Sequence, residues 1–161
     1  EYHNSSEINI AITPLVLLLG SILDIQNKQF DSSKLVAFYI PENTAIEIFS
    51  TTLHFSPCKV LESGFKCGVI LPFGTNMNFE KATSFNNDED YYLFKKNKWL
   101  LAHPDHQKII QLGAYIGITG NNIEDFMKTF NDAHYQIERN ANSKILFTNL
   151  CFNVMRYIHI A

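Results

Sequence analysis

Glu1, His3, Ser5 and Glu7 stand at alternate positions of the opening stretch Glu1-Tyr2-His3-Asn4-Ser5-Ser6-Glu7. Side chains of a β-strand alternate with a period of two, so all four would share one face. Two carboxylates, an imidazole and a hydroxyl are costly to bury without partners. A divalent metal ion or a polar substrate supplies such a partner. His54, in Thr51-Thr52-Leu53-His54, is placed to complete the set from a later strand. Glu1, His3, Glu7 and His54 are therefore the candidate metal ligands, and a mixed imidazole–carboxylate set suits Zn²⁺, Mn²⁺, Fe²⁺ or Ni²⁺. With an open coordination position, such an ion acts as a Lewis acid. The plainer reading is a surface strand end with solvated charges.

Glu47 interrupts the apolar stretch Ala45 to Ser50 and is the candidate general base, since a carboxylate facing a barrel interior can have a raised pKa. Its plainer reading is a rim glutamate facing water. Lys34, Tyr39 and Lys59 are candidate partners for a substrate carboxylate. His103 and His106 flank Pro104-Asp105, a stretch with too few ligands to hold a metal by itself. His134 and His159 read as surface or packing residues, and Cys58 as a small buried hydrophobe. The glycines between Gly113 and Gly120 lack both the GxGxxG spacing and a Walker lysine, and no Ser-His-Asp elbow is present.

The elements that must position these residues read mostly as strands. Residues 1–12 form a strand whose even face (Ile8, Ile10, Ile12) turns apolar, and Pro14 ends or bends it. Leu15 to Leu19 is a buried strand closed by Gly20, and residues 20–33 form a loop or short hairpin. Lys34 to Ile40 is a strand, Pro41-Glu42-Asn43-Thr44 a turn, and Ala45 to Ser50, Leu53 to Ser56 and Phe65 to Pro72 further strands. Asn86 to Asp90 is a solvated acidic loop and Tyr91 to Leu101 a candidate strand. Pro104 to Leu112 and Asn122 to Phe130 read as helices, the first starting on its proline and the second capped by Asn122. Lys144 to Leu150 is a last strand, and residues 151–161 carry no readable pattern. Strands and turns at this spacing predict an all-β sandwich or barrel.

Composition bounds the partners. A chain of 161 residues suggests a single domain over 1–161, large enough for a sizeable core. The net charge is −3 with scattered basic residues, so no patch points to nucleic acid. The longest apolar run, Leu15 to Leu19, is far too short for a bilayer, and no membrane association is expected. The three cysteines form no CxxC pair, and their odd number favours a reducing, cytoplasmic compartment. Thirteen Phe and seven Tyr favour a β-rich fold and are compatible with a homodimer. The sequence opens inside a polar strand without Met, which leaves room for residues before Glu1.

Glu1 to Glu7 resembles the first cupin motif, in which two histidines two apart precede a glutamate, with Glu1 in the place of the first histidine. Pro41 to Thr44 followed by Ala45 to His54 resembles the second motif, a Pro/Gly turn and a histidine-bearing strand. The interval to His54 is longer than usual and the turn lacks its glycine. Glu1-Tyr2-His3, Ser6-Glu7, Pro14-Leu15, Ala37-Phe38 and Ala45–Pro57 follow the order of ureidoglycolate lyase-type cupins over residues 1–75. Asn97 to Pro104 and Gly113 to Asn122 look like a bacterial cupin family with no assigned reaction, and that resemblance spans more of the chain. It implies a cupin-type β-barrel or jelly roll, with its core barrel in about 1–75, further C-terminal strands and a partly helical stretch at 102–135. The expected function is a metal-dependent isomerase or lyase acting on a small polar hydroxy-carbonyl compound: a sugar, a sugar acid or a ureidoglycolate-like molecule. The rival expectation is a barrel that binds such a molecule without turning it over.

Overall fold

The structure, a computed structural model, describes residues 1–79, 87–122 and Asp125. Its strands are β1 (Glu7–Ala11), β2 (Leu15–Ser21), β3 (Phe30–Asp31), β4 (Val36–Ile40), β5 (Thr44–Ile48), β6 (Thr52–Leu53), β7 (Cys58–Lys59) and β8 (Cys67–Ile70). They continue with β9 (Leu93–Lys95), β10 (Lys98–Trp99), β11 (Leu101–Ala102), β12 (Tyr115–Ile116) and β13 (Ile118–Thr119), with one short helix, α1 (Gln107–Gln111), before β12. Among the described residues the protein is thus mainly β, as the sequence predicts. The helix expected at Asn122 to Phe130, the strand at Lys144 to Leu150 and residues 151–161 lie outside the described residues, apart from Asn122 and Asp125.

The apolar run at Leu15 is the centre of one antiparallel sheet. β2 pairs with β4 from Leu15↔Ile40 to Leu19↔Val36, and on its other edge with β7 (Leu15↔Lys59) and β6 (Gly20↔Leu53). A strand flanked on both edges and covered on both faces needs apolar residues throughout, and Leu15 to Leu18 are all buried. It runs past Gly20 to Ser21, where the hydroxyl caps a turn of 3-10 helix by accepting from the Leu23 N–H. The predicted short hairpin is present as mutual Gln26–Gln29 backbone bonds of 2.8 and 2.9 Å.

The second sheet is β5-β1-β8, antiparallel, with β1 in the middle. Its inner face packs on the first sheet: Ala11 and Ile48 join Leu15, Leu17 and Ile40 in one core cluster. The even face of β1 is not the buried one. Glu7, Asn9 and Ala11 point inward, while Ile10 and Ile12 are exposed. A hydrophobic-pattern argument assigns the apolar side to the core, and here the polar side is buried because its groups have partners of their own.

Three other expectations change. Residues 1–12 are not one strand: the chain bends at Asn4-Ser5, and β1 starts only at Glu7. Before the bend it bridges to Trp99, and after it the chain joins β5 and β8. The helix expected from Pro104 begins at Gln107, because the Pro104-Asp105 segment is a turn closed by the His106 N–H on the His103 carbonyl. Within the expected acidic loop, Asp88–Tyr92 is a 3-10 helix, started by a capping box in which Asn87 and Asp90 bond each other's backbone N–H.

A second core cluster joins Tyr2, Phe30, Leu35, Leu53, Tyr92, Trp99 and Leu101. Tyr2 and Trp99 exchange backbone hydrogen bonds of 3.0 and 3.1 Å and stack with ring centroids 5.5 Å apart. Glu1 and His54 likewise exchange backbone bonds, of 2.7 and 2.9 Å. Three extended segments, residues 1–3, 52–54 and 98–99, are thereby laid side by side. Tyr2, Leu53 and Trp99 face the core, so by alternation their neighbours Glu1, His3, His54 and Lys98 face the other way.

Candidate metal centre

His3, Glu7 and His54 are all buried, and their polar ends converge. Nε2 of His3 lies 3.3 Å from Glu7 Oε2, and Nε2 of His54 lies 3.4 Å from the same oxygen. Glu1 Oε1 is 3.8 Å from His3 Nε2. One ligand atom from each of Glu1, His3 and His54 falls within 4.8 Å of the others. The four residues that the sequence marks as ligands are therefore brought together, although a bend replaces the continuous strand expected to align three of them.

The other nitrogen of each ring is already committed. His3 Nδ1 lies 2.6 Å from the Asn97 carbonyl, and His54 Nδ1 lies 3.0 Å from the Thr52 carbonyl. A carbonyl oxygen only accepts, so Nδ1 carries the hydrogen in both rings. In a neutral imidazole, Nε2 is then a bare lone pair. Neither Nε2 has a hydrogen-bond partner among the described residues, although both are buried. Two lone pairs and a carboxylate aimed at one point require positive charge between them. A proton on one or both rings supplies it, and so does a cation. The spacing fits the cation: donors on a tetrahedron with zinc bond lengths of about 2.0–2.1 Å lie about 3.3 Å apart. A backbone carbonyl on the far nitrogen is also the usual outer partner of a metal-bound histidine.

Glu7 is ionised under either alternative. Burial raises its carboxyl pKa, but hydrogen bonds from Asn9 and, once their Nε2 atoms carry protons, from His3 and His54 hold it well below the usual carboxylate range. Asn9, on the same face of β1, donates to Glu7 Oε1 at 2.7 Å and leaves Oε2 for the histidines. The Cys67 thiol donates in turn to Asn9 Oδ1 at 3.3 Å, which fixes the amide orientation. Cys67 and Cys58 are both free thiols.

Glu1 has a different partner. Its Oε2 is ion-paired with Lys98 Nζ, and these two side chains are 14% and 17% exposed, more than His3 at 1% or His54 at 5%. The Glu1–Lys98 side is therefore the open side of the cluster. Asn97 anchors it from behind. With a left-handed φ of 53°, its side chain accepts from the Asn4 N–H at 2.9 Å and donates to Ser5 and Thr75 hydroxyls at 3.0 and 2.9 Å. Sequence reading missed Lys98, Asn97 and Asn9. The signal for Lys98 was its place beside Trp99, a residue that had to face the core, in a stretch alternating aromatic and basic residues.

The remaining predicted site residues lie elsewhere. Glu47 pairs with Ile8 across β5 and β1, so it shares the outer face and is exposed, opposite to Glu7. It is a rim glutamate and is not positioned to act as base at this cluster. Lys34 is ion-paired with Asp24 at 3.2 Å, Tyr39 is 60% exposed on β4, and Lys59 sits on β7. None of the four is hydrogen-bonded or ion-paired to the cluster. His103 contacts the Gly120 carbonyl and Asp105, neither of which belongs to the cluster.

A mainly β domain with two buried histidines and two carboxylates gathered from the chain start and residue 54 is the class of protein these observations define. The chain belongs to the family described as Domain of unknown function (DUF4867), whose model matches residues 1–123. That span includes every residue of the cluster. No curated protein and no solved structure matches the chain.

Proposed function

We propose that this protein is a metal-dependent enzyme acting on a small hydroxy-carbonyl compound, as an isomerase or a lyase, on a cupin-type barrel. The observation that carries the metal is the pair of buried, unpartnered Nε2 atoms whose Nδ1 hydrogens are held by carbonyls. His3, His54 and Glu7 are the residues that would hold the ion, with Glu1 as a fourth ligand or a substrate contact. A divalent ion at this point supplies Lewis acidity for adjacent substrate oxygens and stabilises negative charge developing on them.

The chain's own residues supply the rest. Asn97 and the Thr52 carbonyl orient the rings, and Asn9 orients Glu7. Glu1, at the open side, is the carboxylate placed to take or return a proton, the role first expected of Glu47. Buried Tyr2 and Trp99 behind the cluster keep water from that side. Isomerisation begins with removal of a proton beside a carbonyl, and loss of an amine from a carbinolamine moves the hydroxyl proton to the leaving nitrogen; a carboxylate at the open side can serve either.

The displacement of Glu47 to the outer face favours one rival: a barrel that binds a sugar or small acid without turning it over. The two free cysteines support the reducing compartment expected from sequence, and the exposed residues Val36, Phe38 and Tyr39 on β4 support the expected homodimer. No helix among the described residues is long and apolar enough to cross a membrane.

The test is a metal analysis of the purified protein, with His3→Ala and His54→Ala alongside. About one divalent ion per chain in the wild type, and its loss in both variants, is the expected result. A wild type that takes up no Zn²⁺, Mn²⁺, Fe²⁺ or Ni²⁺ at neutral pH overturns the proposal.

A further inference from the structure

From the charges around the cluster we infer that the site takes an anion: a small carboxylate bearing a hydroxyl or carbonyl on the adjacent carbon, recognised by Lys98. This rests on the metal reading and goes beyond it, because that reading leaves a neutral sugar and an acid equally open.

With neutral imidazoles, Glu1, Glu7 and Lys98 sum to one negative charge. A divalent ion among them changes the sum to one positive charge. The groups that carry it are largely buried, where an uncompensated charge is costly and an opposite charge is attracted strongly. A neutral diol leaves that charge uncompensated, whereas a monocarboxylate cancels it.

Lys98 is the group placed to read the anion. Its side chain is only 17% exposed, and Glu1 is its one ion-pair partner among the described residues. An ammonium has three donors, so two besides the one on Glu1 can serve a ligand. It lies on the open side, where a ligand enters. Its backbone is held by the neighbouring Trp99–Tyr2 bridge, so its position is set by the core. A carboxylate entering beside Glu1 therefore meets a fixed cation, with its adjacent oxygen directed toward the histidines. The same arithmetic sets an order wherever the metal-free rings are neutral: the anion binds after the metal, because that site is then negative.

The experiment is calorimetric titration of glycolate and of glycolamide, its neutral isostere, into Zn²⁺-loaded protein, metal-free protein and Zn²⁺-loaded Lys98→Met. Metal content is measured separately in each sample. Glycolate is expected to bind the loaded wild type at least about tenfold tighter than glycolamide, and not to bind the metal-free protein. Lys98→Met should lower glycolate affinity about ten- to a hundredfold and leave glycolamide nearly unchanged, the effect of one charge-assisted hydrogen bond. Zn²⁺ uptake with equal affinities for the two probes overturns the inference, as does an unchanged ratio in a Zn²⁺-loaded Lys98→Met. If Lys98→Met fails to fold or load, the wild-type comparison alone decides. No Zn²⁺ uptake by the wild type overturns the metal reading and this inference together.

Discussion

Glu7→Gln separates the two ways in which the cluster can be neutralised. Asn9 Nδ2 donates to Glu7 Oε1 at 2.7 Å, so a glutamine must turn its carbonyl oxygen to Asn9 and its amide nitrogen to the histidines. That nitrogen then stands where Oε2 stood, 3.3 and 3.4 Å from the two Nε2 atoms, with one hydrogen for each. If the metal-free rings are neutral, the swap replaces a clash of lone pairs by two hydrogen bonds. At about 0.5–1 kcal/mol each, these stabilise the protein by about 1–2 kcal/mol. For a domain of this size that raises Tm by about 2–8 °C. If the rings are instead cationic partners of Glu7, the swap breaks a buried ion pair. That costs about 3–5 kcal/mol and lowers Tm by about 6–20 °C. The assay is thermal unfolding followed by circular dichroism at pH 8 with a chelator, then with excess Zn²⁺. Wild type should gain about 2.7 kcal/mol when Zn²⁺ is at a hundred times its Kd, and Glu7→Gln should gain almost none. A wild type that gains no stability from Zn²⁺ would refute the metal centre, while a Tm drop of the larger size in chelator shows that the metal-free rings carry protons.

Acid should weaken the metal-free protein in a defined window. The Glu7 pKa is lower folded than its ordinary 4.5, so the unfolded state binds more protons and stability rises with pH. The contribution is complete above about pH 5 and is lost as pH falls below that, and chemical unfolding at pH 7 and pH 3 should show a smaller loss in Glu7→Gln than in wild type. Cys58 has the opposite sign. Burial pushes its thiol up to about 11, so the native state holds its proton while the unfolded chain ionises, and stability falls above about pH 9. Iodoacetamide at pH 8 should modify Cys58 only after denaturation, and labelling as fast as in the unfolded chain, read by mass spectrometry, would contradict the buried thiol. Leu17→Ala, in the core between the two sheets, should cost about 2–5 kcal/mol and lower Tm by about 4–20 °C. A loss under 1 kcal/mol on denaturant titration would mean that Leu17 is not packed as described.

The strands that are apolar throughout were legible in the sequence, because Leu15 to Leu19 and Val36 to Ile40 need no knowledge of their partners to be read. So were the turns around Asn43 and the four cluster residues, whose types are costly to bury alone. What stayed hidden depends on distant partners. The even face of β1 looks like the core face until Asn9 is seen to serve Glu7 from the odd one. Glu47 looks like a buried base until its pairing with Ile8 puts it outside. Lys98 carries only a weak signal, its place beside Trp99, until Tyr2 meets Trp99, 97 residues along. The bend at Asn4-Ser5 is invisible for the same reason: it is stabilised by Asn97, and no local residue demands it.

The three segments laid side by side, at residues 1–3, 52–54 and 98–99, have a consequence for how the protein assembles. The bond from His54 to Glu1 spans 53 residues, and that from His3 to Asn97 spans 94. Closing such loops is slow, since their entropy is lost before any contact rewards it. The ligands therefore do not exist as a set in a partly folded chain. A metal that needs all of them would arrive late and lock the finished molecule instead of guiding the chain toward it. Its main kinetic effect would fall on unfolding, because the ion would tie residues 1–7 to His54, and these must separate together before either can leave.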